Sequence, residues 1–158
     1  MMADDKMTIL MIDDDKMLLK LYEMAVVAHE DEMRLVMAEN TGDGLKIAED
    51  LKPDVILLDL ILGTKKGDPV GELDKVNGFN FLLAVKGQEE TRRIPVVIFS
   101  NLDTRKDQEK ASDMGAADYI VKAKTSPEEV LHRLEEVVKV ERAAWAVSDA
   151  SKIKRKVE

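Results

Sequence analysis

Four short apolar runs in this chain end in side chains that can do chemistry. Thr8 to Ile12 leads into Asp13, Asp14 and Asp15, Val55 to Leu58 into Asp59, Ile94 to Phe99 into Ser100, and Tyr119 to Val121 into Lys122. If those ends share one rim, the carboxylates of Asp13, Asp14 and Asp59 meet a hydroxyl and an ammonium. Carboxylates brought together repel and raise one another's pKa, so they call for a cation. Mg²⁺ suits them, being a hard ion that takes one or two carboxylates together with waters and phosphate oxygens. Zinc does not: the chain has no cysteine, and its two histidines, His29 and His132, have no partner at ligand spacing. A carboxylate can also be a nucleophile and become an aspartyl phosphate. That transfer needs neutralisation of charge on the equatorial oxygens more than covalent help. Mg²⁺ can take one oxygen, Lys122 a second, and Ser100 or backbone N–H groups the third.

The elements that would hold these residues follow from hydrophobic spacing. Met17, Leu18, Leu21, Met24, Ala25 and Ala28 recur at helical intervals, predicting a first helix over about Lys16 to Ala28. A second strand is expected at Leu35 to Ala38, then a helix from about Thr41 to Leu51 stopped by Pro53. Val55 to Leu58 is continuously aliphatic, as in a parallel strand buried on both faces. From Leu60 to Asn77 the pattern lapses into glycine, proline and charge, which predicts a long polar loop. Helical spacing resumes at Phe79, Leu82, Leu83 and Val85, and again from Asp103 to Met114 before Gly115. Ser126, Pro127 and Glu129 start a last helix as cap, first-turn proline and capping-box acid. Its stripe of Leu131, Leu134, Val138 and Trp145 carries it to about Val147, and the tail from Ser148 is expected to fray. Strands alternating with helices call for a five-stranded parallel α/β sheet with right-handed crossovers and helices on both faces. In such sheets the site lies beyond the carboxyl ends of the strands, where the chemistry-bearing residues stand.

Composition narrows the function classes. The chain has 158 residues, 45% hydrophobic and 4% aromatic, so aliphatic side chains must fill one core of ordinary size. Net charge is −8, which argues against direct nucleic-acid binding. Residues 139–158 carry six basic side chains against three acidic ones, so the acidity lies in the remainder. The N-terminus is acidic where a secretory signal is basic, and no apolar run is long enough to span a bilayer. A cytoplasmic protein without membrane contact is expected.

Ile9-Leu-Met-Ile-Asp13-Asp14-Asp15, Val55-Ile-Leu-Leu-Asp59, Val96-Val-Ile-Phe-Ser100 and Gly115-Ala-Ala-Asp-Tyr119-Ile-Val-Lys122 resemble, in order and spacing, the segments of two-component response regulator receiver domains. The resemblance covers roughly Met7 to Val138 and is specific as a set. It implies a flavodoxin-like sheet in strand order 2-1-3-4-5, a receiver domain over 1–140, and an extended last helix with a basic tail over 141–158. It implies Asp59 as phosphoacceptor, Asp13, Asp14 and Asp59 with the Ile61 backbone carbonyl as Mg²⁺ ligands, and Lys122 and Ser100 as partners of the phosphoryl group. Tyr119 becomes the aromatic switch that follows Ser100. A sensor histidine kinase or phosphotransfer protein would supply the phosphoryl group, and a downstream protein would read the surface of the fourth helix, fifth strand and fifth helix. Such a switch promotes only its own phosphorylation and dephosphorylation; it is not an enzyme. The Trp145 end of the last helix is a candidate homodimer contact or a lead into an output module.

Three features depart from that family pattern. Ala123 follows Lys122 where a proline in a cis peptide is usual. Asn77-Gly78 comes late after Asp59, implying an insertion of about ten residues that shields the phosphate or recognises a partner, or else is a tolerated surface loop. Ile61 and Leu102, two residues after Asp59 and Ser100, are apolar and cannot orient a hydrolytic water, which predicts slow self-dephosphorylation. One rival is a haloacid-dehalogenase-like phosphatase using Asp13 and Asp15, with Ser100-Asn101 as its second motif. It lacks an acidic pair soon after the lysine and leaves Asp59 unexplained.

Overall fold

Along β1, β3 and β4 every second residue packs to one side of the sheet and the intervening residues to the other. The computed structural model of the chain describes residues 5–62 and 76–157. Strands β1 (Met7–Ile12), β2 (Met33–Ala38), β3 (Val55–Leu58), β4 (Val96–Ser100) and β5 (Asp118–Val121) alternate with helices α1 (Lys16–Val27), α2 (Thr41–Leu51), α3 (Val76–Gly87), α4 (Arg105–Asp113) and α5 (Pro127–Val157). The strands form one parallel sheet in the order β2-β1-β3-β4-β5, the flavodoxin-like order. Ile9, Met11, Val55, Leu57, Val97 and Phe99 pack with α1 and α5. Leu10, Ile12, Ile56, Leu58, Val96 and Ile98 pack with α2, α3 and α4. The period-2 alternation of a strand therefore gives two cores, and a continuous aliphatic run is what burial on both faces demands.

Local signals set the helix starts. The Asp15 carboxylate accepts the N–H groups of Met17 and Leu18 at the head of α1, Asn40 caps α2, Thr104 caps α4, and the Ser126 hydroxyl accepts the Glu129 N–H. Gly115, at φ 99°, supplies the left-handed residue that turns the chain from α4 towards β5.

Several expectations are corrected. The face of α1 that packs inward is Leu19, Tyr22 and Val26, with Tyr22 edge-on to Phe99 at 5.5 Å between ring centroids. Met17, Leu21 and Met24, apolar positions of the same helical spacing, are 83%, 47% and 65% exposed. Lys16, Lys20 and Glu23 mark a polar stripe, but the apolar residues cover most of the rest of the helix, so hydrophobic spacing alone could not choose which part of that wide arc turns inward. β2 begins two residues earlier than expected, at Met33, and α4 is shorter. α3 begins at Val76, so Asn77 and Gly78 are helical, while Leu60 and Leu62 belong to the core. Residues 63–75, most of the expected insertion, lie outside the described residues. α5 does not fray at Ser148 but continues to Val157. The segment has no glycine or proline and ends in basic residues that suit a helix C-terminus. Arg93 also holds Asp149 through two hydrogen bonds of 2.8 and 2.9 Å and lies 4.3 Å over the Trp145 ring. His29, expected at the surface, is partly exposed there and lies 3.0 Å from Glu128. Among the described residues, no helix is long and apolar enough to cross a membrane.

Candidate functional site

Strand register brings the acids together. Ile12 pairs with Leu58 across β1 and β3, so the next residues, Asp13 and Asp59, emerge side by side on the rim. Their backbones stay tied to the sheet: the Asp13 N–H donates to the Ala38 carbonyl and the Asp59 N–H to the Ile12 carbonyl, each at 3.0 Å. Asp13 and Asp59 are 1% and 7% exposed, whereas Asp14 faces solvent. One carboxylate oxygen from each of the three lies within 4.8 Å of the others, a spacing that fits a hard cation.

Lys122 reaches this cluster from the end of β5. Its ammonium donates to Asp13 at 2.7 Å and to Asp59 at 3.1 Å. Burial alone would lower the Lys122 pKa, but the charges of Asp59 and Asp13 outweigh it and hold the ammonium protonated above its ordinary range. Asp59 is pushed up to about 6, first by burial and further by Asp13, against the opposing pull of Lys122 and of the Ile61 N–H. That N–H donates to Asp59 Oδ1 at 3.1 Å, which fixes the carboxylate's orientation from its own loop.

The remaining predicted residues line the same rim one and two strands over. Ser100 ends β4, is almost fully buried, and accepts the Leu102 N–H on Oγ at 3.2 Å. The Tyr119 hydroxyl donates to the Leu102 carbonyl at 2.7 Å. Burial raises the Tyr119 phenol to about 12, with the charge of Asp107 adding to it, so it acts as a donor at physiological pH. Asp15 does not join the acidic cluster as a second catalytic acid, since its carboxylate caps α1. The Lys122–Ala123 peptide is trans; the described residues contain no cis peptide bond.

Sequence reasoning missed the links between the two loops that carry Ser100 and Lys122. The Asn101 side-chain carbonyl accepts the Ala123 N–H at 2.9 Å, and Asp103 pairs with Lys124. The available signal was Ala123 itself, because any residue but proline brings an N–H to that position.

The response regulator receiver domain model matches residues 9–135. Protein PilH of Pseudomonas aeruginosa is 30% identical over 114 residues, covering 72% of this chain and 84% of PilH. The phosphate regulon transcriptional regulatory protein PhoB of the same organism is 32% identical over 134 residues, covering 84% of this chain but only 52% of PhoB. The crystal structure of the BeF3-activated N-terminal receiver domain of Klebsiella pneumoniae RstA superposes with a TM-score of 0.65 at 26% identity, over 83% of this chain and 97% of that one. The phosphatase alternative finds no support in any of these, nor in an Asp15 committed to capping a helix. A parallel 2-1-3-4-5 sheet with its acids, hydroxyl and lysine on the carboxyl rim, matched by that model over most of its length, makes this chain a member of the response regulator receiver domain family, the phosphorylation switch of two-component systems.

Proposed function

We propose that Asp59 accepts a phosphoryl group from a sensor histidine kinase or phosphotransfer protein, and that Asp13, Asp14 and Asp59, with the Ile61 carbonyl, hold the Mg²⁺ this requires. The observation that carries the reading is the junction of three carboxylates within 4.8 Å with an ammonium 2.7 and 3.1 Å from two of them. When bound, Mg²⁺ supplies positive charge to a phosphoryl oxygen and relieves the repulsion among the acids. An Asp59 oxygen attacks phosphorus, the bond from phosphorus to the donor's nitrogen or oxygen breaks, and the bonding pair leaves with the donor. Lys122 is already poised between Asp13 and Asp59 and exchanges its Asp59 contact for one to the new phosphoryl oxygens. Ser100 donates its hydroxyl to the same group.

That demand on Ser100 is the switch. Its Oγ supports the Leu102 N–H, and the Leu102 carbonyl in turn holds the Tyr119 hydroxyl. Drawing Ser100 towards Asp59 disturbs Leu102 and releases Tyr119, which changes the surface of α4, β5 and α5 offered to a downstream protein. The exposed Met17, Leu21 and Met24 face of α1 starts two residues beyond Asp15, and its flexible thioethers give the donor protein an adaptable apolar surface beside the rim. The Trp145 end of α5 is the candidate contact between two copies. A cytoplasmic location fits a kinase that works there.

The test is intact mass after incubation with acetyl phosphate and Mg²⁺. The expected result is a gain of one phosphoryl group that EDTA abolishes and Asp59→Asn does not show. Unchanged mass in the wild-type protein overturns the reading.

A further inference from the structure

Residues 100–103, the turn from β4 towards α4, are bonded almost one by one, and three of the four reach the same neighbour. Asn101 accepts from the Ala123 backbone, Leu102 from the Tyr119 hydroxyl, and Asp103 pairs with Lys124. Residues Lys122–Lys124 form a single 3-10 turn, closed from the other side by the Thr125 hydroxyl donating to the Val121 carbonyl at 3.0 Å. Lys122 thus leaves a backbone clamped just after it by Asn101, while its ammonium spans Asp13 and Asp59.

The geometry points to Asn101 as a positioning residue for phosphoryl transfer: through the Ala123 N–H it fixes the backbone from which Lys122 reaches Asp59, and it couples that backbone to the loop carrying Ser100. Asn101 does not touch the reacting atoms. It acts by restricting where the Lys122 side chain starts, which matters because a lysine stem has many rotamers and loses them only if its root is held. The bond depends on a residue with an N–H at position 123, which proline would not provide. Because Asn101 is adjacent to Ser100, the same hydrogen bond makes the movement of Ser100 towards a phosphorylated Asp59 felt at Lys122. Asn101 is itself exposed, so its truncation opens no cavity and the fold should tolerate it.

This inference rests on Asp59 being the phosphoacceptor, and the experiment separates the two. Phosphorylation by acetyl phosphate is followed by intact mass in wild-type protein, Asn101→Ala, Asn101→Asp and Asp59→Asn, with Mg²⁺ affinity measured by calorimetry. Asn101→Ala is expected to slow phosphorylation by about threefold to tenfold, the worth of one net hydrogen bond. Asn101→Asp keeps an acceptor oxygen and should stay within about twofold of wild type on the same scale. Mg²⁺ affinity should be unchanged in Asn101→Ala, because the three acids are untouched and no charge is altered. An Asn101→Ala protein as fast as wild type, or Ala and Asp variants equally slow, overturns the positioning role while leaving Asp59 as acceptor. A wild-type protein that gains no mass removes both readings.

Discussion

Asp59 is held in a setting that favours its protonated form, and this has a thermodynamic sign. Its pKa in the fold, about 6, lies above the ordinary 3.8, so the folded state binds that proton more tightly than the unfolded chain does. The stability gained is present below about pH 4 and is lost as pH rises through 6. In metal-free protein, Asp59→Asn is expected to leave stability near pH 4 almost unchanged and to raise it at pH 7.5 by about 1–3 kcal/mol, since a pKa that differs by one between the folded and unfolded states is worth about 1.4 kcal/mol. Urea melts at the two pH values check this; an Asn variant no more stable than wild type at pH 7.5 contradicts it. The raised pKa also makes phosphorylation at low Mg²⁺ rise with pH through about 6, since only the carboxylate attacks. Two residues on, Ile61 is partly buried against the core on the α2, α3 and α4 side of the sheet and has no group to orient water. Ile61→Asn should therefore speed loss of the phosphoryl group by about fivefold, the worth of one added hydrogen bond, as followed by mass against time after removal of donor. Decay at the wild-type rate would show that this position does not limit hydrolysis.

Among the elements, α3 is the one whose packing bears most directly on the acceptor. A Cβ at Gly78 would fall 2.6 Å from the Leu60 carbonyl oxygen and 2.7 Å from its Cα, so the first turn of α3 lies directly on the backbone that follows Asp59. Because the obstacle is backbone, it cannot rotate away. Gly78→Ala is expected to cost about 1–3 kcal/mol through overpacking and to slow phosphorylation by displacing the Ile61 N–H from Asp59. At Gly87, in the same helix, a Cβ would meet nothing within 4 Å, and Gly87→Ala should be neutral or stabilising by up to about 1 kcal/mol. Denaturant midpoints of the two variants test the contrast, and similar midpoints would refute it.

For the molecule as a whole, α5 combines two roles. Val130, Leu131, Leu134 and Val138 belong to the core, whereas beyond them the helix is attached at the opposite end of the sheet from the acids. There Arg142 donates to Asp54 at 2.6 Å, and Asp54 also accepts the Thr8 N–H at 2.7 Å. Arg93 joins Asp149 and Trp145. Such exposed pairs contribute little to global stability. A chain ended after Val140 should still unfold cooperatively, lose only about a few degrees of melting temperature and be phosphorylated on Asp59 at an unchanged rate. Loss of the cooperative transition would mean that the extension is part of the folding unit. We propose residues 1–140 as the receiver unit.

The strands and the residues at their ends were legible in the sequence because a parallel strand buried on both faces leaves a continuous aliphatic run, and its carboxyl end is marked by an abrupt polar residue. Asp13, Asp14, Asp59, Ser100 and Lys122 could therefore be named from position alone, and the caps at Asp15 and Ser126 follow from a short side chain bonding its own neighbouring N–H groups. Tertiary structure decided what depends on partners remote in sequence. Which face of α1 turns inward was settled by Tyr22 meeting Phe99, not by the hydrophobicity of Met17, Leu21 and Met24. Where the end of α5 is tied back to the body follows from Arg93 meeting Asp149 and Trp145. The clamp on Lys122 depends on Asn101 lying beside Ala123. Local chain chemistry writes strands, caps and strand ends into the sequence, whereas a helix face, the anchoring of a helix end and a bridge between loops are chosen by contacts that exist only once the chain has closed on itself.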